Sequence, residues 1–378
     1  MIPYGRQSIE EEDIHAVVEA LRSDWLTQGP KLKEFEEKLA AYCGAKYAVA
    51  VSNGTTALHV AYLGLGIGEG DEVITTPNTF VATSNMLLVV GATPVFCDID
   101  PKRYNIDVEK IESLITPSTK AISLVHFAGH PVDIDTIERI AKKHNLLVIE
   151  DSCQALGATY KNKKIGSCTQ SNAAVFSFHP VKSITTGEGG AILTNDKELY
   201  EKMMRLRTHG VTKDPELLEE YHGDWYFETC ELGYNYRMTD MQAALGISQL
   251  KQLDTFIEKR NKQATYYNEQ LKDVSNIVLP TVDDTVRSAW HLYVIQVLKE
   301  HRKEIFDAMR EAGIGVQVHH VPVHIHPLFK KVLGEQKYLV HADEYYSRCF
   351  SLPIFPKMTR EEQNHVIGTL KHIMETYE

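Results

Sequence analysis

The sequence predicts an α/β fold, in which a large domain with a mainly parallel sheet covered by helices precedes a smaller C-terminal α+β domain. Two observations carry this reading. From about residue 46 to 195, short β-branched runs alternate with stretches of helical period, and after about residue 237 one long helical tract from Thr239 to Leu271 takes over.

The elements follow in order. Tyr47–Val51 reads as a strand and Thr55–Leu65 as the helix after it; Glu72–Thr75, helix-like Thr83–Val90 and Thr93–Phe96 repeat the pattern. Ala121–Val125 precedes an amphipathic stretch through Ile134, Ile137 and Ile140, then come Leu146–Ile149, Ala173–Phe178 and Ala191–Leu193. Strands that are apolar without alternation are buried on both faces, and strands alternating with helices form βαβ units, hence the parallel sheet. Ligands of such sheets sit at the carboxyl ends of the strands. The long tract shows an apolar face through Ile247, Leu250, Leu253 and Ile257. In the tail, His291–Ile295 and Gly315–Val318 read as strands separated by a helix around Lys303 to Ala312 that stops at Gly313. The expected division is residues 1–248 and 249–378, with no Pro-, Gly- or Ser-rich linker between them.

Composition narrows the function classes. With 378 residues, 43% of them hydrophobic, the chain can bury a large core, which excludes disorder. Against 51 Asp and Glu stand 40 Lys and Arg, and a net charge of −11 argues against gripping nucleic acid by phosphate neutralisation. The six cysteines form no CxxC pair, which suggests neither zinc nor a disulfide framework but reduced thiols in a cytosol. Met1–Arg6 runs into Glu10–Asp13 without the basic and apolar stretches of a signal peptide. The most apolar window, Thr79–Phe96, contains Thr83, Ser84, Asn85 and Pro94 and is a poor membrane span. A cytoplasmic protein without membrane attachment is expected.

Two glycine-rich runs can be set aside. Gly64–Gly68 follows a helix rather than a strand and has Glu69 where a dinucleotide fingerprint needs its third glycine, so it reads as a turn. Gly187–Gly190 lacks the GK[ST] of a phosphate loop.

Three other segments carry chemistry. Ser52-Asn53-Gly54-Thr55-Thr56 lies between a strand and a helix, where free N–H groups and two hydroxyls suit an anion; alone, it reads as ordinary helix capping. Glu150-Asp151 ends a buried strand, where a carboxylate needs a partner such as a cationic ring nitrogen, although it could equally cap the next segment of chain. Lys182 lies four residues beyond an apolar strand, beside Thr185, Thr186 and glycines. A lysine is usually a solvated surface residue, but one desolvated there is a nucleophile able to form a Schiff base. Taken together, an anion cup, an acid and an amine at one edge of a parallel sheet are what pyridoxal 5′-phosphate requires.

At these residues the sequence resembles the DegT/DnrJ/EryC/StrS family of sugar-nucleotide aminotransferases, pyridoxal-phosphate enzymes of fold type I. The resemblance runs nearly full length, through Leu26–Pro30, Ser52–Thr55, Gly70–Ile74, Phe80–Thr83, Gly91–Val95, Ile149–Asp151, Phe176–His179, Gly187–Gly190, Gly233–Met238 and Ser351–Pro356. It implies catalytic roles for Lys182, which holds the cofactor's aldehyde, and Asp151, which pairs with the pyridine nitrogen. It also implies that Gln154 contacts the phenolic oxygen, that Thr55, Thr56 and Ser177 bind the phosphate, and that Phe80 stacks on the ring. Asn235 matches a position that reaches the phosphate from the other subunit of a homodimer. Family members with histidine in place of the lysine are dehydratases, so Lys182 favours transamination.

The resemblance further implies L-glutamate as amino donor and a UDP-sugar as acceptor. Thr75–Leu87 and Phe176–Thr186 look most like the C4 aminotransferases of UDP-4-keto-6-deoxy-N-acetylhexosamines, nearest to the pseudaminic acid branch, whose product is UDP-4-amino-4,6-dideoxy-N-acetyl-β-L-altrosamine. Trp290–Leu292 and Gly313–Gly315 also resemble the enzyme that makes UDP-4-amino-4-deoxy-L-arabinose. His319-His320 departs from the His-Tyr or His-Phe common in the family. His319, His320, His324 and His326 could bind a metal, yet alternating histidines near a substrate pocket more often bind polar ligands, and no metal is expected. A non-catalytic cofactor-binding regulator would need a DNA-binding module, for which no basic segment is spare.

Overall fold

Strand runs too short for a helical face assemble into one sheet in the computed structural model, which describes residues 1–377. The strands are β1 (Tyr47–Val51), β2 (Glu72–Thr75), β3 (Thr93–Phe96), β4 (Thr119–Val125) and β5 (Leu147–Asp151), then the short hairpin β6 (Thr159–Tyr160) and β7 (Lys163–Lys164), then β8 (Ala173–Ser177) and β9 (Gly190–Thr194). Seven of them lie in the order β1-β9-β8-β5-β4-β2-β3. Pairing is parallel from β8 to β3, whereas β9 is antiparallel to both β8 and β1. Two reversals cancel, so β1 runs in the same direction as β8. The carboxyl ends of β1, β8, β5 and β4 therefore meet at one edge.

Alternation along each strand supplies two cores. Ala48 and Ala50 of β1, Ala174 and Phe176 of β8, and Ala191 and Leu193 of β9 pack on one face with α2 (Pro30–Cys43) and the first half of the long helix. Val49, Val51, Val175 and Ile192 point the other way, onto α3 (Gly54–Gly64) and residues of Lys197–Arg207. Between the helices α1 (Glu11–Arg22), α2 and α3 and the long helix stand α4 (Ala82–Val89), α5 (Ile134–His144) and α6 (Lys197–Arg207). The strand–helix alternation expected from the sequence is thus the observed one, with both sheet faces covered.

The long helix α7 (Asp240–Leu271) starts one residue after the expected Thr239, which caps it: the Gln242 N–H donates to Thr239 Oγ1 and the Thr239 N–H to Gln242 Oε1. Asp240, fully buried, accepts from the N–H groups of Gly29, Lys31 and Leu32 at the start of α2, where the helix dipole favours a carboxylate. The division expected at 248/249 falls inside α7. Leu253, Phe256 and Ile257 still belong to the sheet's core, and Ala264, Tyr267 and Leu271 to the C-terminal one.

The remaining short strands β10 (Val211–Thr212) and β11 (Glu228–Thr229) pair together, and β12 (Val286–Arg287) joins β6. In the C-terminal unit β13 (Tyr293–Gln296) pairs antiparallel with β14 (Cys349–Leu352), among α8 (Arg302–Glu311), α9 (Pro327–Leu333), α10 (Val340–Arg348) and α11 (Arg360–Met374). The strand expected at 315–318 is not formed. This segment divides its hydrogen bonds, Gly315 N–H donating to Ile2 on one side and Gln317 pairing with Ser351 on the other, which leaves a single bridge instead of a ladder. Ile2 thereby joins the C-terminal core.

Candidate active site

The turn after β1 brings Ser52–Thr56 to the shared strand edge. Asn53 caps α3, its Oδ1 accepting from the Thr56 N–H at 2.9 Å, while Thr56 Oγ1 donates to the Asn53 carbonyl at 2.8 Å and accepts from the Asn53 N–H at 3.2 Å. Capping therefore occupies Thr56, the reading the sequence allowed alongside anion binding. The N–H groups of Gly54 and Thr55 have no intrahelical acceptor, and the Thr55 hydroxyl has no partner among the described residues. Both hold at the positive end of the helix dipole.

Ser177, the last residue of β8, lies against this turn: a Cβ built on Gly54 would sit 2.9 Å from Ser177 Cβ and 3.2 Å from its Oγ. Gly190 opens β9 opposite Val51 and Ser177, and a Cβ there would stand 2.4 Å from the Asn53 carbonyl oxygen. The cup requires glycine at this point because backbone occupies the space.

Asp151 ends β5 and is 6% exposed. Its Oδ2 accepts from Thr83 Oγ1 at 2.7 Å and its Oδ1 from the Cys153 N–H at 3.2 Å. Thr83 in turn lies 3.0 Å from the Thr79 hydroxyl. Three residues on, Gln154 accepts from the Ala128 N–H through Oε1 at 2.7 Å, and its Nε2 is 3.4 Å from Nε2 of His320.

Lys182 follows β8 in a turn closed by its N–H donating to the His179 carbonyl at 2.9 Å. Burial pushes its amine below the usual lysine range, while Cys153 and Asp151 beside it pull the other way. No carboxylate or carbonyl among the described residues accepts from its Nζ, so this amine is both desolvated and uncommitted. Around it stand His291, His319 and His320, all held neutral by burial and by the Lys182 charge; His319 is pushed down to about 4. Phe80 is 60% exposed, although Pro77–Thr79 before it are buried, and its ring centroid is 6.3 Å from that of His320.

The structure thus gathers Thr55, Thr56, Phe80, Asp151, Gln154, Ser177 and Lys182 around one edge. Asn235 is exposed on a segment that pairs with Thr208 and is followed by Tyr236, whose carbonyl accepts from the Ser52 N–H. The other histidines diverge: His319 Nδ1 pairs with Ser351 Oγ at 2.8 Å and His324 Nε2 with Asp343 Oδ1 at 3.0 Å, and no group of three metal ligands forms among the described residues. Sequence reasoning missed Thr83 and His291. Both lie inside segments it singled out, but neither hydrophobic period nor spacing distinguishes a hydroxyl that meets a carboxylate 68 residues away.

Residues 7–371 match the model of the DegT/DnrJ/EryC1/StrS aminotransferase family. The chain is 43% identical to the spore coat polysaccharide biosynthesis protein SpsC of Bacillus subtilis, over 99% of this chain and 97% of that protein. It is 42% identical to a UDP-4-amino-4,6-dideoxy-N-acetyl-β-L-altrosamine transaminase of Campylobacter jejuni, over 99% and 98%. Helicobacter pylori PseC, an aminotransferase of pseudaminic acid biosynthesis, superposes with a TM-score of 0.93 at 36% identity, over 99% of both chains. Spr1654 of Streptococcus pneumoniae, solved in its PLP form, superposes with a TM-score of 0.93 at 30% identity, over 100% of this chain and 99% of that one.

Proposed function

The chain belongs to the DegT/DnrJ/EryC1/StrS aminotransferase family, and from that premise we propose that it moves an amino group from L-glutamate to C4 of a UDP-4-keto-6-deoxy-N-acetylhexosamine, using pyridoxal 5′-phosphate and giving UDP-4-amino-4,6-dideoxy-N-acetyl-β-L-altrosamine. The observation that carries the reading is the desolvated Lys182 amine, without an acceptor of its own, beside a buried Asp151 that is itself hydrogen-bonded. The C. jejuni and H. pylori relatives support the choice of sugar.

The residues present fit the cofactor. Free N–H groups at the start of α3, the Thr55 hydroxyl and Ser177 form a cup for a phosphate dianion, with Thr56 bracing it through the cap. Phe80 offers an exposed ring face, and Gln154, its carbonyl committed to Ala128, offers only N–H donors. When bound, pyridoxal phosphate supplies an aldehyde to carry the amino group and a ring to delocalise the electron pair left by a departing Cα proton.

Each residue then has a task. Lys182 Nζ would hold the cofactor through its aldehyde and, once freed by the donor, would serve as the base that moves the donor's Cα proton. Burial, which lowers its pKa, favours the unprotonated amine that such a transfer needs. Asp151 would pair with the cofactor's ring nitrogen and keep it protonated, and Thr83 holds the carboxylate in place. We assign Asn235, exposed on the chain's surface, to the phosphate of a second copy, so that two chains of a homodimer share their sites. No helix among the described residues is long and apolar enough to cross a membrane.

The test is a two-stage turnover. Protein loaded with pyridoxal phosphate is treated with L-glutamate, freed of donor, and given UDP-2-acetamido-2,6-dideoxy-β-L-arabino-hexos-4-ulose. Return of the visible band together with an amino sugar of the expected mass supports the reading. Efficient loading without return rejects this acceptor and directs the assay to the 4-keto pentose, the substrate type suggested by a 36% identical relative from Shewanella sediminis named UDP-4-amino-4-deoxy-L-arabinose–oxoglutarate aminotransferase.

A further inference from the structure

Gln154 is held at both ends of its amide. Its Oε1 accepts from the Ala128 N–H at 2.7 Å, and its Nε2 lies 3.4 Å from His320 Nε2. The first anchor is rigid. Ala128 has a left-handed backbone (φ +56°), its neighbour Phe127 donates its N–H to Asn105 Oδ1, and Gly129 accepts from Ala289. Since the only carbonyl of the amide is spent on that N–H, the end facing His320 is a donor. A donor needs an acceptor, so the facing nitrogen of His320 carries the lone pair and the ring proton sits on Nδ1.

The surroundings agree. The His320 ring is packed by Phe80 at 6.3 Å, by the edge of Phe127 at 6.2 Å and by His319 at 5.2 Å. Its titratable neighbours are His319 and Lys182, both of which disfavour a second proton, and no carboxylate pairs with it.

We propose that His320 is a positioning residue, which as the neutral Nδ1–H tautomer fixes the plane of the Gln154 amide so that the second N–H of Gln154 is presented to the cofactor's phenolic oxygen. The part that concerns the cofactor rests on the function proposed above. The tautomer does not, because it follows from the protein's own hydrogen bonds.

The test has two arms. In protein without cofactor, 15N-histidine NMR, assigned by difference against H320F, is expected to show His320 as a single Nδ1–H tautomer at pH 7. An Nε2–H tautomer, a mixture or an imidazolium overturns the proposal. In protein loaded with pyridoxal phosphate, the pH midpoint of the visible band is compared in wild type, H320F, Q154L and the double variant. A donor at the phenolic oxygen favours its ionised form and holds the midpoint down. H320F should therefore raise it, Q154L should raise it further, and the double variant should match Q154L, because one effect acts through the other. Equal and additive shifts, or no shift in H320F, overturn the proposal. H320N, which can offer an amide oxygen as acceptor, should restore part of the wild-type midpoint and guards against H320F failing to fold. A chain that takes up no pyridoxal phosphate would reject the proposed function, and the tautomer would still decide the role of His320.

Discussion

Thr83 Oγ1 donates to Asp151 Oδ2 at 2.7 Å, joining the second residue of α4 to the last residue of β5. The bond fixes one carboxylate oxygen and, with the Cys153 N–H on the other, sets the direction in which the remaining lone pairs point.

T83V removes that donor at nearly constant volume. A hydrogen bond to a charged group is worth about 1.5–3 kcal/mol, and about 1.4 kcal/mol is tenfold in rate. The single-turnover rate with glutamate should thus fall roughly 10- to 100-fold, with pyridoxal phosphate still bound, and D151A should fall further. An unchanged rate in T83V would remove Thr83 from the site.

Lys182 titrates below a surface lysine because burial disfavours its charge. The free base is the nucleophile, so its reactivity rises as pH passes a midpoint lower than the usual value of about 10.4. Trace acetylation of cofactor-free protein, followed by peptide mass between about pH 7 and 11, should show Lys182 reacting at lower pH than Lys303, whose pKa Asp307 raises. K182A should lose turnover and the visible band, and normal multiple turnover would refute the assignment.

G190A should disturb the anion cup before it disturbs the fold. The added methyl would stand 2.4 Å from the Asn53 carbonyl, a backbone atom of the α3 cap. At least a tenfold loss of pyridoxal phosphate affinity is expected by equilibrium titration, about 1.4 kcal/mol. Wild-type affinity would show that the cap does not form the cup.

Glu36 and Arg207 are both buried, with Arg207 Nη1 2.5 Å from Glu36 Oε1 and 2.9 Å from the Ala50 carbonyl, while the Ala50 N–H donates to the same carboxylate. Removing one partner strands a buried charge, and R207M should cost about 3–5 kcal/mol in urea unfolding. Burial already pushes the Glu36 carboxyl above its ordinary value despite Arg207. A carboxyl raised in the folded state is protonated more readily there than in the unfolded chain, so its cost appears as pH climbs above the unfolded value of about 4.3. Without Arg207 the cost grows, so the loss in R207M should be larger at pH 8 than at pH 5. A loss independent of pH would point to packing alone.

The sheet was legible because its strands are continuous apolar runs between helical periods, a pattern set within a few residues of chain. Tyr47–Val51 and Thr239–Leu271 could be read to within a residue for that reason. The segment 315–318 could not, since it has strand composition but its partners are Ile2 and Ser351, far away in the chain. Ser52–Thr56 shows the same limit at the site. The sequence left capping and anion binding open, and the fold assigns Thr56 to the cap while leaving Thr55 free.

The succession of strands and helices along the chain, the residue types at their carboxyl ends and the motifs shared with the aminotransferases are legible without the fold, because these depend on local period and chemistry. Which carboxylate oxygen meets Thr83, that Lys182 lacks an acceptor and that Gln154 faces His320 across 166 residues emerge from the folded chain alone. Such contacts depend on two separate elements reaching one strand edge, and on burial that removes water from the groups left there.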